Sequence, residues 1–174
     1  MVEIARLKAE DHPLVAAWLS DPSINRWLTG RWQGREFDPK HIGVLVASPA
    51  TQLYLIRYHG EAAGMAVLSD IDRSEGSAGL WYLIDEAYRS KGVATAAVRK
   101  LAATAFEELK LTSLNAWVTI GNDASCRVLE RAGFRKVGVL RRASLLDGQH
   151  VDRLLFDLLP RDCAGAGGES REEQ

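Results

Sequence analysis

Apolar and polar positions change their rhythm several times along the chain, and each change predicts an element. Alternation over residues 2–7 predicts an edge strand. Asp11-His12-Pro13 then starts a helix whose apolar face is Leu14, Val15, Trp18 and Leu19, until Ser20-Asp21-Pro22 interrupts it. A second short helical piece holds Ile24, Trp27 and Leu28, and residues 32–38 take no assignment. QLYLIRY at 52–58 and the apolar run 62–68 flank His59-Gly60-Glu61, which predicts a hairpin; the turn region 70–76 leads into a third strand at 78–84 (AGLWYLI). These three are expected to be antiparallel neighbours.

The period becomes helical after Gly92, where Val98, Leu101, Ala102, Ala105 and Leu109 share a face. A strand at 114–119 follows this crossover. A short helix at 124–132 comes next, with Asn122 or Asp123 as its cap and Gly133 as its left-handed stop. Residues 137–145 and 151–158 form a closing hairpin about Asp147-Gly148. The order is that of an α/β (α+β) domain, a mixed central sheet with flanking helices.

Composition narrows the class. The 174 residues are 47% hydrophobic and 26% charged, which suits one globular domain over residues 1–162, with 163–174 (CAGAGGESREEQ) expected as a loose tail. Lys plus Arg is 22 and Asp plus Glu 23, so the balance of -1 gives no reason to expect a nucleic-acid partner. Cys126 and Cys163 make no metal-ligand or redox pattern and are expected as free thiols in a reducing compartment. The first residues lack the apolar core of a signal peptide and no stretch reaches membrane-spanning length, so a cytoplasmic protein without a membrane partner is expected.

The candidate chemistry begins in YRSKGVATAAV, residues 88–98. A helix N-terminus exposes unpaired N–H groups and partial positive charge, and Gly92 lets a ligand approach the backbone. Arg89 and Lys91 add positive field, Ala94 keeps the first turn narrow, and Thr95 offers a hydroxyl. Alone the stretch is a weak signal, since a solvated turn with cations reads the same way; it fits neither the nucleotide-hydrolysing loop nor the dinucleotide fingerprint.

Around it, WYLIDEAYRSKGVATAAVRKLAATAFEEL, NAWVTIGNDASCRVLERAGF and RRASLLDGQHVDRLLFDLLPRD occur in an order that resembles the GNAT superfamily of N-acetyltransferases. The resemblance covers about residues 5–162, is most specific over 81–134, and points to the branch acting on ribosomal-protein N-termini and small amines. It implies the acyl-CoA N-acyltransferase fold and acetyl-CoA as cosubstrate. Arg89, Gly92 and Ala94 match the family's phosphate-loop pattern, with Ser90, Lys91, Val93 and Thr95 between or beside them. The strand carrying Leu83 and Ile84 is then expected to part from the strand near 116–119, to line the cofactor arm and to offer a backbone N–H to the oxyanion. Asn122 and Ser125 match positions facing that arm or its sulfur; as plain structure they are a cap and a first-turn residue.

The implied reaction is direct attack by a neutral primary amine, from a small molecule or a protein N-terminus, with no metal and no covalent enzyme intermediate. This sequence departs from the family twice. Leu129 stands where many relatives carry a tyrosine acid, so Ser125, or a water held by it, becomes the candidate proton donor; Asn115 stands where several carry a glutamate. Asp72 or a water relay is the preferred base, ahead of Glu75, Asp85, His150 and Asp152, and Asp152-Arg153 is expected as an ion pair. Trp27, Trp32, Trp81, Tyr82 and Trp117 are candidate acceptor contacts, each equally readable as core. Another acyl donor, a carrier-linked acceptor and a non-catalytic CoA-binding module remain alternatives, and a homodimer is left open.

Overall fold

The computed structural model describes residues 1–28 and 30–163. The expected strands all form, as β1 (Val2–Arg6), β2 (Gln52–Tyr58), β3 (Glu61–Asp72), β4 (Ser77–Ile84), β5 (Ser113–Thr119), β6 (Arg135–Leu146) and β7 (Gln149–Leu158). They lie in one sheet in the order β1-β2-β3-β4-β5-β7-β6. Its pairs are antiparallel except β4 with β5, the parallel pair that a helical crossover requires.

Helices cover both faces. The first layer is α1 (His12–Ser20), α2 (Pro22–Asn25) and α3 (Pro39–Ala47); the second is α4 (Val93–Ala103) and α5 (Asp123–Ala132). A last turn, α6 (Pro160–Cys163), ends the described chain, so residues 164–174 of the expected tail lie outside it. The hydrophobic periodicity leaves α3 unassigned, yet its start is written in Asp38-Pro39: the aspartate accepts from the N–H groups of Lys40 and His41, and proline occupies the first turn.

Alternation along the strands sorts the core into two. Ala78, Leu80 and Ile84 of β4 join Leu114, Ala116 and Val118 of β5 beneath Val98 and Leu101 of α4 and Leu129 of α5. Leu83 of β4 points the other way, with Met65 and Val67, toward Val15, Leu19 and Ile42. The sheet is therefore the middle of three layers. Among the described residues no helix is long and apolar enough to cross a membrane.

The feature that shapes the site is a failure of pairing. β4 and β5 are in register only at Ser77↔Ser113, Ala78↔Leu114 and Gly79↔Asn115; beyond Gly79 the two strands part. Asn115 laces the closed end, its Nδ2 donating to the carbonyl of Ala78 at 3.1 Å. The expected split between the two strands is thus present, starting at Leu80.

Candidate active site

Two glycines shape the donor side of the gap. A Cβ on Gly64 of β3 would lie 2.3 Å from the carbonyl oxygen of Leu83, so that carbonyl is aimed at β3. The N–H of Asp85 likewise turns to β3, reaching the carbonyl of Ala63 at 2.9 Å. Since peptide groups alternate along a strand, those of Tyr82 and Ile84 face the gap instead. The gap-facing donor expected from Leu83 or Ile84 therefore falls to Ile84, and the Leu83 main chain is spent on β3.

Gly92 caps α4 with φ +75°, and a Cβ built there meets nothing within 4 Å. Glycine is needed there for backbone conformation and open approach, since no protein packs on it. Ser90 also has a positive φ, of 60°. Among the described residues the N–H groups of residues 90–95 make no backbone hydrogen bond; the first to do so is that of Ala96, to Gly92 at 3.1 Å. Alternating handedness with free N–H groups makes a concave nest for an anion.

The loop's cations are held by main chain. Arg89 Nε donates to the Ile84 carbonyl at 3.3 Å, and Lys91 Nζ to that of Ala87 at 2.8 Å, with the ammonium 5.4 Å from the Tyr88 ring centroid. Val93 is buried at 1%, so of its parts only the N–H faces the nest. Ala94 and Thr95 are half-buried in the first turn.

Across the gap Asn122 caps α5 and Gly133 ends it at φ 104°, both as expected from the sequence. The Asn122 side chain accepts from the Ser125 N–H at 3.3 Å. Ser125 Oγ meets the Tyr82 hydroxyl at 2.9 Å. Tyr82 therefore leaves the aromatic wall expected for the acceptor: one residue after Trp81, it takes the opposite face of β4. Burial pushes its phenol up to about 12, outweighing the hydrogen bond from Ser125 that pulls it down. Sequence spacing gives no sign of this pair, because 43 residues separate its members. Leu129, in the slot where relatives have tyrosine, is 2% exposed and part of the core.

The acceptor side holds less than expected. Trp32 and Trp81 meet edge to face at 5.7 Å between centroids, and Trp32 meets Phe37 at 5.5 Å. Trp27 lies under its own neighbour, with the Arg26 guanidinium 4.9 Å from its ring. Trp117 carries the Arg153 guanidinium at 3.9 Å. The expected Asp152–Arg153 ion pair does not form: Asp152 accepts from the Arg142 N–H at 2.9 Å, while Arg153 Nε donates to Ser144 Oγ at 3.1 Å.

The candidate bases are occupied too. Asp72 is the last residue of β3, opposite Ser77 at the closed end of the β4–β5 pair, not at the gap. Its Oδ1 accepts from the hydroxyl and N–H of Ser74 and the N–H of Glu75. The Ser74 hydroxyl first, then those N–H groups, hold its carboxyl below the usual range. Asp85 accepts from Trp18 Nε1 at 2.8 Å and from the Ala87 N–H at 2.9 Å. Glu75 is exposed in the β3–β4 turn, and His150 is exposed near the start of β7, opposite Leu145.

Similarity to known proteins agrees with this geometry. A family model described as an acetyltransferase (GNAT) domain matches residues 2–135. Over 108 residues the chain is 37% identical to a putative ribosomal N-acetyltransferase, YdaF, of Bacillus subtilis, a match that covers 62% of this chain and 59% of that relative's length. The structure of Mycobacterium smegmatis RimJ in complex with CoA-disulfide superposes with a TM-score of 0.80 at 25% identity, over 92% of this chain and 83% of the other. The spermidine N-acetyltransferase of Vibrio cholerae, in complex with CoA and spermine, gives 0.84 at 17% identity over 94% and 98%, a likeness of fold alone. With more than half of its length under the family model and the fold recurring in these structures, the chain belongs to the GNAT acetyltransferase family.

Proposed function

We propose that the protein is an N-acetyltransferase that takes acetyl-CoA as donor and a primary amine, small or at a protein N-terminus, as acceptor. The observation that carries this reading is the row of unbonded N–H groups at residues 90–95, opening where β4 and β5 part. Such a nest suits a diphosphate, and the charges of Arg89 and Lys91 favour the same ligand. The gap-facing peptide groups of Tyr82 and Ile84 suit an amide-bearing arm. When bound, acyl-CoA supplies an acyl group already activated as a thioester.

The protein's own contribution is placement and proton handling. Tyr82 keeps its proton throughout neutral pH. With Tyr82 donating to Ser125 Oγ, the serine hydroxyl is left to donate toward the sulfur end of the arm. Asn122 holds the α5 terminus that carries Ser125. Asp72 lies away from the gap and Asp85 accepts from Trp18 Nε1 and the Ala87 N–H, so no carboxylate base is assigned and the amine arrives already neutral. That favours α-amino groups, whose ordinary pKa is about 7.7–8.0, over lysine at about 10.4. At pH 7 the difference in neutral amine is roughly 200- to 400-fold.

The test is release of free thiol from acetyl-CoA across a panel of small amines and N-terminal peptides, with Gly92→Glu in parallel. Turnover that follows the acceptor's own amine pKa supports the reading. Tight binding of coenzyme A with no thiol release for any amine would leave a cofactor-binding module in its place.

A further inference from the structure

The acceptor face holds a cation that the acyl-transfer chemistry does not use. Gly79 and Asn115 are the last paired residues of β4 and β5, and the Asn115 Oδ1 lies 3.7 Å from a Cβ built on Gly79, so the two share a face. Two residues on, Trp81 and Trp117 take that same face, one on each side of the gap and away from α4 and α5. Trp117 is 37% exposed, and the Arg153 guanidinium stacks on it at 3.9 Å. Arg153 is opposite Thr119 on the neighbouring strand, hence on the same face.

The guanidinium is fixed from behind. Its Nε donates to Ser144 Oγ at 3.1 Å, and Ser144 also accepts from Thr119 Oγ1 at 3.1 Å. Ser144 and Thr119 are only 4% and 2% exposed, so the anchor is rigid. Among the described residues no carboxylate pairs with Arg153 and neither Nη is hydrogen-bonded. A half-buried cation held by one buried hydroxyl and an indole, with neither Nη bonded among the described residues, is suited to receive a planar anion.

We propose that Arg153, stacked on Trp117, binds a carboxylate on the acceptor and so selects amines that also carry an acid group. This rests on the acyl-transfer reading of the gap and deepens it by naming the acceptor class. A purely structural brace between β5 and β7 would use the same stacking and the same Ser144 bond. It would have no use for two Nη groups that, among the described residues, have no hydrogen-bond partner. The open cation also disfavours polyamine acceptors by direct repulsion.

The test uses the full chain with coenzyme A present and acceptors matched as acid and amide. These are the amidated dipeptides alanyl-aspartate and alanyl-asparagine, whose α-amino groups sit beside the same peptide bond, with spermidine as the polycation. Calorimetry reads binding, and thiol release from acetyl-CoA reads turnover separately. The acid member of a pair is expected to bind about 10- to 100-fold more tightly, the range for a charge-assisted hydrogen-bonded pair. In Arg153→Gln that acid-to-amide ratio falls toward unity, and in Arg153→Lys it falls part of the way. Equal binding of acid and amide by the native protein overturns the proposal, as does preference for spermidine. So does an Arg153→Gln variant that weakens both members alike, which is the mark of a brace. If Arg153→Gln changes the affinity ratio of coenzyme A to 3′-dephospho-coenzyme A, the anion belongs to the cofactor and the acceptor subsite falls. An acid preference in binding without thiol release sustains the subsite and removes the acyl-transfer reading.

Discussion

On the α4–α5 face the gap is lined by main chain: the N–H groups of residues 90–95, the peptides of Tyr82 and Ile84, and the capped start of α5. On the α1–α3 face it is lined by side chains gathered from far apart, Trp32 from the front segment, Trp81 from β4, Trp117 from β5 and Arg153 from β7. The first construction fixes its ligand by geometry that any similar loop would reproduce. The second can change partner by exchanging a few side chains while the sheet stays the same. That division suits a domain in which one ligand is constant and the other varies.

The comparison can be broken first at Gly92. A left-handed residue bearing a carboxylate should strip the nest of its anion: Gly92→Glu is expected to weaken coenzyme A binding by 100-fold or more, on the order of 3 kcal/mol. Nothing packs on Gly92, but its left-handed φ means that the substitution also costs about 1–2 kcal/mol of stability, and calorimetry beside a thermal melt separates that cost from the larger loss of affinity. If affinity is retained, the main-chain side of the comparison is lost.

Leu129 sharpens the same face. Leu129→Tyr restores the residue usual in the family, but the site is 2% exposed and closely packed. Overpacking should cost about 1–3 kcal/mol in a denaturant melt, with no gain in turnover. Higher turnover would mean that a phenol can reach the sulfur end from α5 after all.

Removing the Tyr82 phenol tests the hydroxyl pair. Tyr82→Phe and Ser125→Ala should each lower kcat about 10-fold, and the double variant little further, because the two groups act as one. The sign of the pH effect follows from the raised phenol. Below about 10, the ordinary value, Tyr82 is protonated both folded and unfolded and its contribution to stability is intact. Between about 10 and about 12 the unfolded chain ionises first, so that contribution is lost as pH rises. Urea midpoints taken from pH 9 to 12 should fall more steeply in the native protein than in Tyr82→Phe.

The smallest effect is expected where the acceptor face is closed by exposed charge. Arg26 reaches Asp147 in the β6–β7 turn at 2.6 Å, and both side chains are largely solvated. Arg26→Ala should cost about 0.2–1 kcal/mol, less at high salt, in the same melt. A larger loss would show that the front segment depends on this pair rather than on Gln33, whose amide spans the carbonyls of Arg26, Leu28 and Leu145.

What was legible in the chain divides along the same line. Strand alternation, the Asn122 and Gly133 ends of α5, the Asp147-Gly148 turn and the glycine of the nest are local signals, each set by a few neighbouring residues. Tyr82 shows where local reading stops. Its alternation with Trp81 fixes that the two take opposite faces, but which face meets Ser125 depends on where α5 packs. Asp152 and Arg153 show the same limit, for adjacent residues on a strand point apart and each bonded elsewhere.

The sequence by itself determined the order of elements, the open start of α4 and the family, because backbone conformation and hydrophobic period are short-range properties. Only the tertiary structure decided that β4 and β5 separate after Gly79, that Tyr82 meets Ser125 across the gap, and that Arg153 stacks on Trp117. Those contacts join residues far apart in the chain, and no short-range rule chooses among the partners they might have had.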